Sequence, residues 1–316
     1  MKKAKNILSI LKCTFYEFSE NDVPRMSAAL AYFTFFALAP MLLVIITVCD
    51  IFYGRDAIEG TLFGQIKGFV GNDAALQIQE IIKNAAKHGA STFATVISII
   101  ALIFSATGVF TEIQSSINAI WQLKAKPKKG WLKFLSNRLL SLSMVLGLGF
   151  ILMVSLVMNA LLDIMMQRLL KILPDGSIVF TYIINFALTF IIISSLFGII
   201  FKFLPDAKIL WKDVRAGAFT TAILFMLGKF AISLYLGKSN PGGTYGTAGS
   251  IVIILLWVYY SSIILYFGAC FTKANAHFTG RRIMPNDYAV FVKHIEVQNH
   301  ESLQEQEKKV IEKPSV

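Results

Sequence analysis

The chain has 316 residues, of which 55% are hydrophobic and only 16% are charged, and its mean hydropathy is +0.63. Soluble domains carry about 25% charged residues, so this composition excludes an ordinary soluble protein. The 30 basic residues outnumber the 19 acidic ones and give a formal net charge of +11. Such an excess could suit nucleic acid, but its distribution along the chain favours a membrane protein that binds no nucleic acid.

Residues 1–26 are predicted to form an amphipathic helix on a membrane surface. Leu8, Leu11, Phe15 and Phe18 recur at the spacing of one helix face. The proline at position 24 follows, and because proline interrupts helices, a break is expected just before the first apolar run.

Six apolar runs, each of about 20 residues or more, have the length that a helix needs to cross ~30 Å of hydrocarbon. The lipid interior offers no water to peptide groups, so each run must form its hydrogen bonds internally, as a helix. The sequence therefore predicts an all-α polytopic membrane protein with six transmembrane helices in a membrane domain over 27–272. The runs are 27–49, 92–111, 139–162, 178–201, 216–236 and 248–270.

The connection 52–91 is too long to be a structureless loop. Apolar residues recur at helical spacing on both sides of Gly71 and Asn72, which predicts two short amphipathic helices on the outer face. These helices would either cover a cavity between the spans or rest on lipid.

The basic residues predict the orientation of the spans. With the N-terminus inside, 22 Lys and Arg residues lie on the inner side and 7 on the outer side. This asymmetry follows the positive-inside rule, so both termini are predicted to be cytoplasmic. The inner loops are expected to contact anionic lipid head groups. Residues 273–316 form a cytoplasmic tail whose polar end is predicted to be flexible.

Lys229 is the one charged residue well inside a predicted span. A buried ammonium group is costly in lipid, so it is expected either to extend toward the outer head groups or to lie in a polar cavity. In the second case it would contact an anionic substrate or pair with Asp50 or Asp163, which lie at outer span ends.

Further candidates are polar or conformationally unusual residues near the span ends. Glu112 and Asn118, at the inner end of the second span, are candidate pathway residues, although hydrogen bonding between helices would also explain them. Pro40 predicts a kink in the first span that either serves helix packing or lines a cavity, and it is a candidate hinge. Gly246 and Gly249 are candidate hinges around the start of the sixth span. Aromatic residues such as Trp121 are typical of interfacial belts.

Several blocks, in order over about residues 24–276, resemble the YihY/BrkB family. The resemblance implies a six-helix protein of the bacterial inner membrane. One departure concerns the end of the sixth span, where the family often has Gly-Ala-Glu and this chain has Gly268-Ala269-Cys270, so a role for that Glu does not carry over. The blocks are Ala28-Ala29-Leu30-Ala31-Tyr32, Leu38-Ala39-Pro40, Ser105-Ala106-Thr107-Gly108-Val109-Phe110, Ile117-Asn118-Ala119-Ile120-Trp121, Phe203-Leu204-Pro205-Asp206, Ala216-Gly217-Ala218, Leu227-Gly228-Lys229, Tyr245-Gly246, Gly249-Ser250 and Leu255-Leu256-Trp257-Val258-Tyr259-Tyr260.

The sequence predicts neither an enzyme nor a cofactor. Some family members were labelled ribonucleases, but metal-dependent phosphodiester cleavage needs clustered His and carboxylate ligands, and the four histidines form no such motif. No motif for ATP hydrolysis, nucleophilic-serine hydrolysis or zinc-dependent proteolysis is present.

Two functions remain open at this level. The first is a transporter or flippase that moves a small solute or a lipid along a polar pathway. The second is a non-transporting scaffold that organises envelope partners through its outer helices and its tail. Either is compatible with a homo-oligomer.

Overall fold

The computed structural model describes part of the chain, and that part is mostly helical: residues 2–37, 76, 79, 92–126, 177–239 and 249–292. The third predicted span, the two predicted outer helices apart from Leu76 and Gln79, and the polar end of the tail lie outside the described residues. The same holds for Asp50, Asp163, Pro40 and Gly246.

Apart from the helical residues Leu76 and Gln79, the described part of the chain contains six helical segments, several of them long and apolar. Those with a membrane-spanning length and composition are Phe186–Phe203, Trp211–Ile232 and Ile251–Phe278. The helical class predicted from the sequence is confirmed for this part of the chain, whereas the number of six spans and their orientation stay predictions. The segments are α1 (Lys2–Glu20), α2 (23–37), α3 (Thr92–Ile120), α4 (Ser177–Phe203), α5 (Trp211–Ser239) and α6 (Gly249–Phe278).

The break between α1 and α2 lies slightly earlier than Pro24. The chain turns at Asn21 and Asp22, where Asp22 has a φ of 50°, and the next helix starts at 23. Pro24 therefore occupies the first turn of α2. A proline is tolerated there because the first N–H groups of a helix have no partner within the helix.

Two helices extend beyond the apolar runs that predicted them. α3 continues to Ile120 and α6 to Phe278, whereas the corresponding runs end at 111 and 270. Both extensions contain polar residues. These residues remain helical because the extensions pack against other segments of the chain, which apolar length alone does not predict.

Glycine and threonine residues allow α5 and α6 to approach closely. A methyl group added at Gly217 would overlap the hydroxyl of Thr272, and one added at Gly268 would overlap the hydroxyl of Thr221. Each hydroxyl donates to a carbonyl in its own helix, at 2.7 Å from Thr221 to Gly217 and at 2.7 Å from Thr272 to Gly268. The crossing is thus a reciprocal pair of Gly-x-x-x-Thr motifs, and small residues at this spacing favour close helix packing.

α1 packs against α6 instead of lying apart from the other helices. The rings of Phe15 and Phe18 have centroids 5.3 and 6.1 Å from that of Phe267. Leu8 and Tyr16 nevertheless remain exposed, and Phe15 is still 62% exposed although it contacts Phe267. The helix therefore has one face against the protein and a second apolar face suited to lipid.

Four short strands join the connections at one end of the helices, here called the strand end. β1 (Leu123–Ala125) pairs antiparallel with β4 (Ala289–Phe291), and β2 (Ala207–Lys208) pairs antiparallel with β3 (Met284–Pro285). The segment after α6 therefore holds both the connection after α3 and the connection after α4.

Gly280 shapes the start of that segment. Its φ is 70°, a left-handed conformation that glycine adopts readily. The N–H of Gly280 donates to the His277 carbonyl at 3.0 Å, and that of Arg281 donates to the Ala276 carbonyl at 2.9 Å. This pattern is a Schellman motif, which ends α6 and turns the chain back.

Candidate functional site

The carboxylate of Asp206 is the centre of a buried polar cluster at the strand end. Asp206 is 2% exposed and lies just before β2. It accepts hydrogen bonds from the side-chain amides of Gln114, at 3.0 Å, and Asn118, at 2.8 Å. Its own N–H donates to the Asn118 side-chain oxygen at 2.9 Å. Buried charge is tolerated when it is hydrogen-bonded in this way, so the cluster joins the end of α3 to the connection after α4.

The segment after α6 completes this cluster. The Asp206 carbonyl accepts from the N–H of Asn286 at 3.0 Å, and the Tyr288 hydroxyl interacts with the Asp206 carboxylate. Partial burial, together with the Asp206 charge, raises the pKa of Tyr288 above its ordinary value. A tyrosine hydroxyl is protonated at neutral pH even at its ordinary pKa of about 10, so this hydroxyl can act as a donor to the carboxylate.

Two ion pairs reinforce the same end. Arg281 forms hydrogen-bonded contacts of 3.0 and 2.8 Å with Asp213, whose side chain is 2% exposed. Lys273 on α6 contacts Glu17 on α1 at 2.6 Å, and both side chains are less than one-fifth exposed. These pairs connect α5 to the segment after α6, and α1 to α6.

Trp121 is a core residue at the strand end. It is 2% exposed, and its indole N–H donates to the Ala269 carbonyl at 3.0 Å. The sequence-based assignment to an interfacial belt is therefore wrong for Trp121. The connection after α3 folds onto α6 and covers the ring. Trp211, by contrast, is 49% exposed, which suits an interfacial position.

Lys229 lies in the second half of α5, away from the strand end. It is partly buried, close to the seam between α5 and α6. At the preceding residue, Gly228, an added methyl group would overlap Tyr260 of α6. Ile232 of α5 and Ile253 of α6 form a small buried cluster nearby. Lys229 therefore lies next to the place where α5 and α6 pack closely against each other.

Glu112 borders a cavity of about 310 Å³, together with Arg25, Ser115 and Ser116. Its carboxylate accepts from the Ser116 hydroxyl at 3.2 Å. The buried Tyr266 hydroxyl lies near Ser116 and Glu112 but has no well-formed hydrogen bond among the described residues. This region therefore combines a carboxylate, an arginine and unsatisfied hydrogen-bonding capacity.

The structure separates the candidates that the sequence identified. Asn118 donates a hydrogen bond to Asp206, Glu112 lines the 310 Å³ cavity, and Lys229 lies on α5 near its contact with α6. Gly249 is the first residue of α6. Asp50, Asp163, Pro40 and Gly246 lie outside the described residues, so their predicted roles stay predictions.

Sequence reasoning missed the buried carboxylates of Asp206 and Asp213, and Arg281, the partly exposed partner of Asp213. A signal was present, because Asp206 and Asp213 are carboxylates in a connection that is otherwise basic. Among the described residues, no group of three or more His, Cys, Asp or Glu side chains could hold a metal ion. What the cluster can do chemically is hold connections in place through charge-assisted hydrogen bonds.

Comparison with known proteins places the chain in a family. A family model described as virulence factor BrkB matches residues 14–286. A UPF0761 membrane protein of Teredinibacter turnerae is 25% identical over 286 residues, which cover 87% of this chain and 63% of that protein. Its counterpart in Haemophilus influenzae is 27% identical over 265 residues, 80% of this chain and 89% of that protein. Another, from Pseudoalteromonas atlantica, is 28% identical over 267 residues, with coverages of 81% and 82%.

The relatives differ in length. The chain spans 63% of the Teredinibacter protein and 59% of the UPF0761 membrane protein of Verminephrobacter eiseniae. No solved structure matches the chain. The family match nevertheless covers α2 to α6 and the strands β1 to β3, and it ends before Tyr288 and β4. The chain is an integral membrane protein of the YihY/BrkB family, whose relatives carry the name UPF0761 membrane protein.

Proposed function

We propose that this protein is a transporter or flippase of the bacterial inner membrane, with six spans, both termini in the cytoplasm, and a small solute or a lipid as substrate. It acts without a catalytic site or a cofactor. The observation that carries the proposal is the position of Lys229 on α5, on the side of the helix that packs against the protein.

The exposed side of α5 is a continuous apolar stripe that ends well away from Lys229. Lys229 is two residues from Leu227, which places it about 160° around the helix from that side chain. Ala222, seven residues earlier, lies within about 20° of Lys229 and is fully buried. Lys229 therefore projects on the bundle side of α5. The stripe consists of Phe219, Ile223, Leu227, Phe230 and Leu234, each about half exposed or more.

This position favours a polar pathway over simple extension to the head groups. Placing an ammonium group at the centre of a membrane helix costs about 2.5–3.5 kcal/mol on insertion scales. Lys229 is seven residues before Leu236, the predicted outer end of the span, or about 10 Å along the helix axis. On the bundle side, the charge is best accommodated by water, a polar partner or an anionic substrate group between helices.

A second polar feature of the proposed pathway, the cavity beside Glu112, lies near the strand end. This cavity of about 310 Å³ lies between α2 and α3 and contains Arg25 as well as serine hydroxyls. The buried hydroxyls of Ser27 and Tyr266, which do not line the cavity, have no hydrogen-bond partner among the described residues. We assign this cavity to the inner opening of the pathway.

The strand end supports the proposed orientation. The connections after α3, α4 and α6 were all predicted to lie on the basic, inner side, and they pair with one another through β1–β4 and β2–β3. Segments that pair in this way must lie on the same side of the membrane. The positive-inside rule then favours the cytoplasm for that side.

Reconstitution into liposomes tests the proposal. Purified protein is assayed with fluorescent phospholipids, whose translocation is detected by a membrane-impermeant quencher, and with labelled anions and cations under an imposed gradient. Wild-type protein should move at least one probe. Lys229→Met should lower the rate about tenfold, the effect of losing ~1.4 kcal/mol of stabilisation.

Lys212→Met is the matched control, because Lys212 is exposed on the first turn of the same helix. It should retain the wild-type rate. If the wild-type protein moves no probe under any gradient, the transport proposal fails and the scaffold function becomes the better explanation. Equal rates for Lys229→Met and Lys212→Met would remove Lys229 from the mechanism.

A further inference from the structure

A cavity of about 400 Å³ lies at the strand end between α1, α6 and the segment after α6. Its volume falls within the range of about 300–1,000 Å³ that is common for small-ligand sites. Part of its wall is rigid, because Trp121 is almost fully buried and hydrogen-bonded to α6. The charged and titratable residues of the wall are Cys13, Glu17, Lys273, His277, Arg281 and Arg282.

The wall carries more positive than negative charge. Glu17 is its one carboxylate among the described residues and is neutralised by Lys273 at 2.6 Å. Arg281 is held by Asp213, on the α5 side. Arg282 is exposed and forms no ion pair within the described part of the chain. His277 is also exposed and lies one turn after Lys273 on α6. The cavity therefore offers a free guanidinium and an imidazole beside two paired cations.

The end of α6 is arranged so that an anion can approach it. Carbonyl groups at the end of a helix carry partial negative charge and repel anions. Here the carbonyls of Ala276 and His277 already accept hydrogen bonds within the Schellman motif at Gly280. The same motif turns Arg281 and Arg282 back toward the cavity wall.

We propose that this cavity binds an anion that carries a phosphate group, with Arg282 and His277 as its direct donors. A guanidinium presents several N–H donors in a plane, which suits the oxygens of a phosphate. The phosphate could be that of a lipid head group at the membrane surface or that of a soluble ester. This site goes beyond the proposed transport function and does not depend on it.

Thermal unfolding of the full-length protein in detergent micelles provides the test, since a ligand that binds the folded state raises the Tm. The probes are phosphatidylglycerol, glycerol 3-phosphate and succinate, each titrated at constant ionic strength. We expect a phosphate-bearing probe to raise the Tm of the wild-type protein. Arg282→Gln should raise the Kd of that probe about tenfold, as expected for the loss of a contact worth ~1.4 kcal/mol.

Arg215→Gln is the matched control, because Arg215 is an exposed arginine on α5 that does not line the cavity. The Kd of the phosphate-bearing probe for this variant should equal its Kd for the wild-type protein. Arg282 is exposed, so its variant should unfold at the wild-type temperature without ligand; His277→Gln gives an independent test of the same cavity.

Each outcome has a defined meaning. Binding of phosphatidylglycerol alone supports the site and assigns the phosphate to a lipid, whereas binding of glycerol 3-phosphate as well supports it for a soluble ester. The proposal is overturned if neither phosphate probe raises the Tm, if succinate binds as tightly as the phosphate probes, or if Arg282→Gln behaves like Arg215→Gln.

Discussion

Replacement of Gly217 by alanine should weaken the crossing between α5 and α6. The added methyl group would overlap the Thr272 hydroxyl and lie 3.0 Å from the Thr272 Cβ. Thr272 cannot simply rotate away, because its hydroxyl then loses the 2.7 Å hydrogen bond to the Gly268 carbonyl. Overpacking of this kind costs about 1–3 kcal/mol. Alanine regains about 0.5–1 kcal/mol of helix propensity, so a net loss of about 1–2 kcal/mol is expected.

Gly198→Ala is the matched control on α4. Gly198 is also a buried helix glycine, but a methyl group there would meet only the Ala218 side chain, at an ordinary contact distance of 3.8 Å. This variant should keep the wild-type stability or gain about 0.5–1 kcal/mol. The free energies of unfolding are measured by titration of purified protein in mixed micelles with a denaturing detergent.

A double-mutant cycle isolates the contact. Thr272→Ala removes the overlapping hydroxyl, so it should restore much of the stability that Gly217→Ala loses. The expected coupling between the two positions is about 1 kcal/mol or more. Equal stability of the Gly217→Ala and Gly198→Ala proteins would refute this account of the crossing, as would purely additive effects in the cycle.

Two further predictions concern the strand end. Asp206→Ala removes two charge-assisted hydrogen bonds and leaves buried amides without an acceptor, so the free energy of unfolding should fall by about 3 kcal/mol. The control is Asp287→Ala, which removes an exposed ion pair with Lys208 and should change the free energy of unfolding by less than about 1 kcal/mol. Equal losses would contradict the assigned role of Asp206. The raised pKa of Tyr288 means that the folded state holds its hydroxyl proton more tightly than the unfolded state. The resulting stability is complete below the ordinary tyrosine pKa of about 10 and lost as pH rises through the higher folded value. The ultraviolet titration curves of the wild-type and Tyr288→Phe proteins should therefore differ by one tyrosine ionisation above pH ~10. If that ionisation is centred below pH ~10, the pKa of Tyr288 is not raised and the reasoning fails.

The helices illustrate how far hydropathy alone reaches. The apolar run 178–201 predicted α4 (Ser177–Phe203) to within two residues at each end, because a long apolar run in lipid must be helical. The run 92–111 predicted the start of α3 but not its continuation to Ile120. That extension contains Gln114 and Asn118, whose partner Asp206 is about 90 residues away in the chain, and a local pattern contains no information about such a partner.

Trp121 illustrates the same limit for single residues. A tryptophan in a basic connection next to a span fits an interfacial belt, and the ring is instead buried against α6. Its hydrogen-bond acceptor, the Ala269 carbonyl, is 148 positions away in the chain. Burial of this kind depends on the packing of separate helices, so no spacing within the sequence predicts it.

The sequence by itself determined that this is a helical membrane protein and identified its family and its unusual lysine. These conclusions follow from run length, charge distribution and ordered motifs, all of which are local or additive properties of the chain. Only the tertiary structure decided that Lys229 projects on the bundle side of α5 and that Arg282 lies at the mouth of a cavity. It also decided that Lys273 pairs with Glu17, 256 positions away. The physical reason is that charge pairing and burial depend on which helices meet, and a bilayer requires each helix to form its own hydrogen bonds without specifying its neighbours.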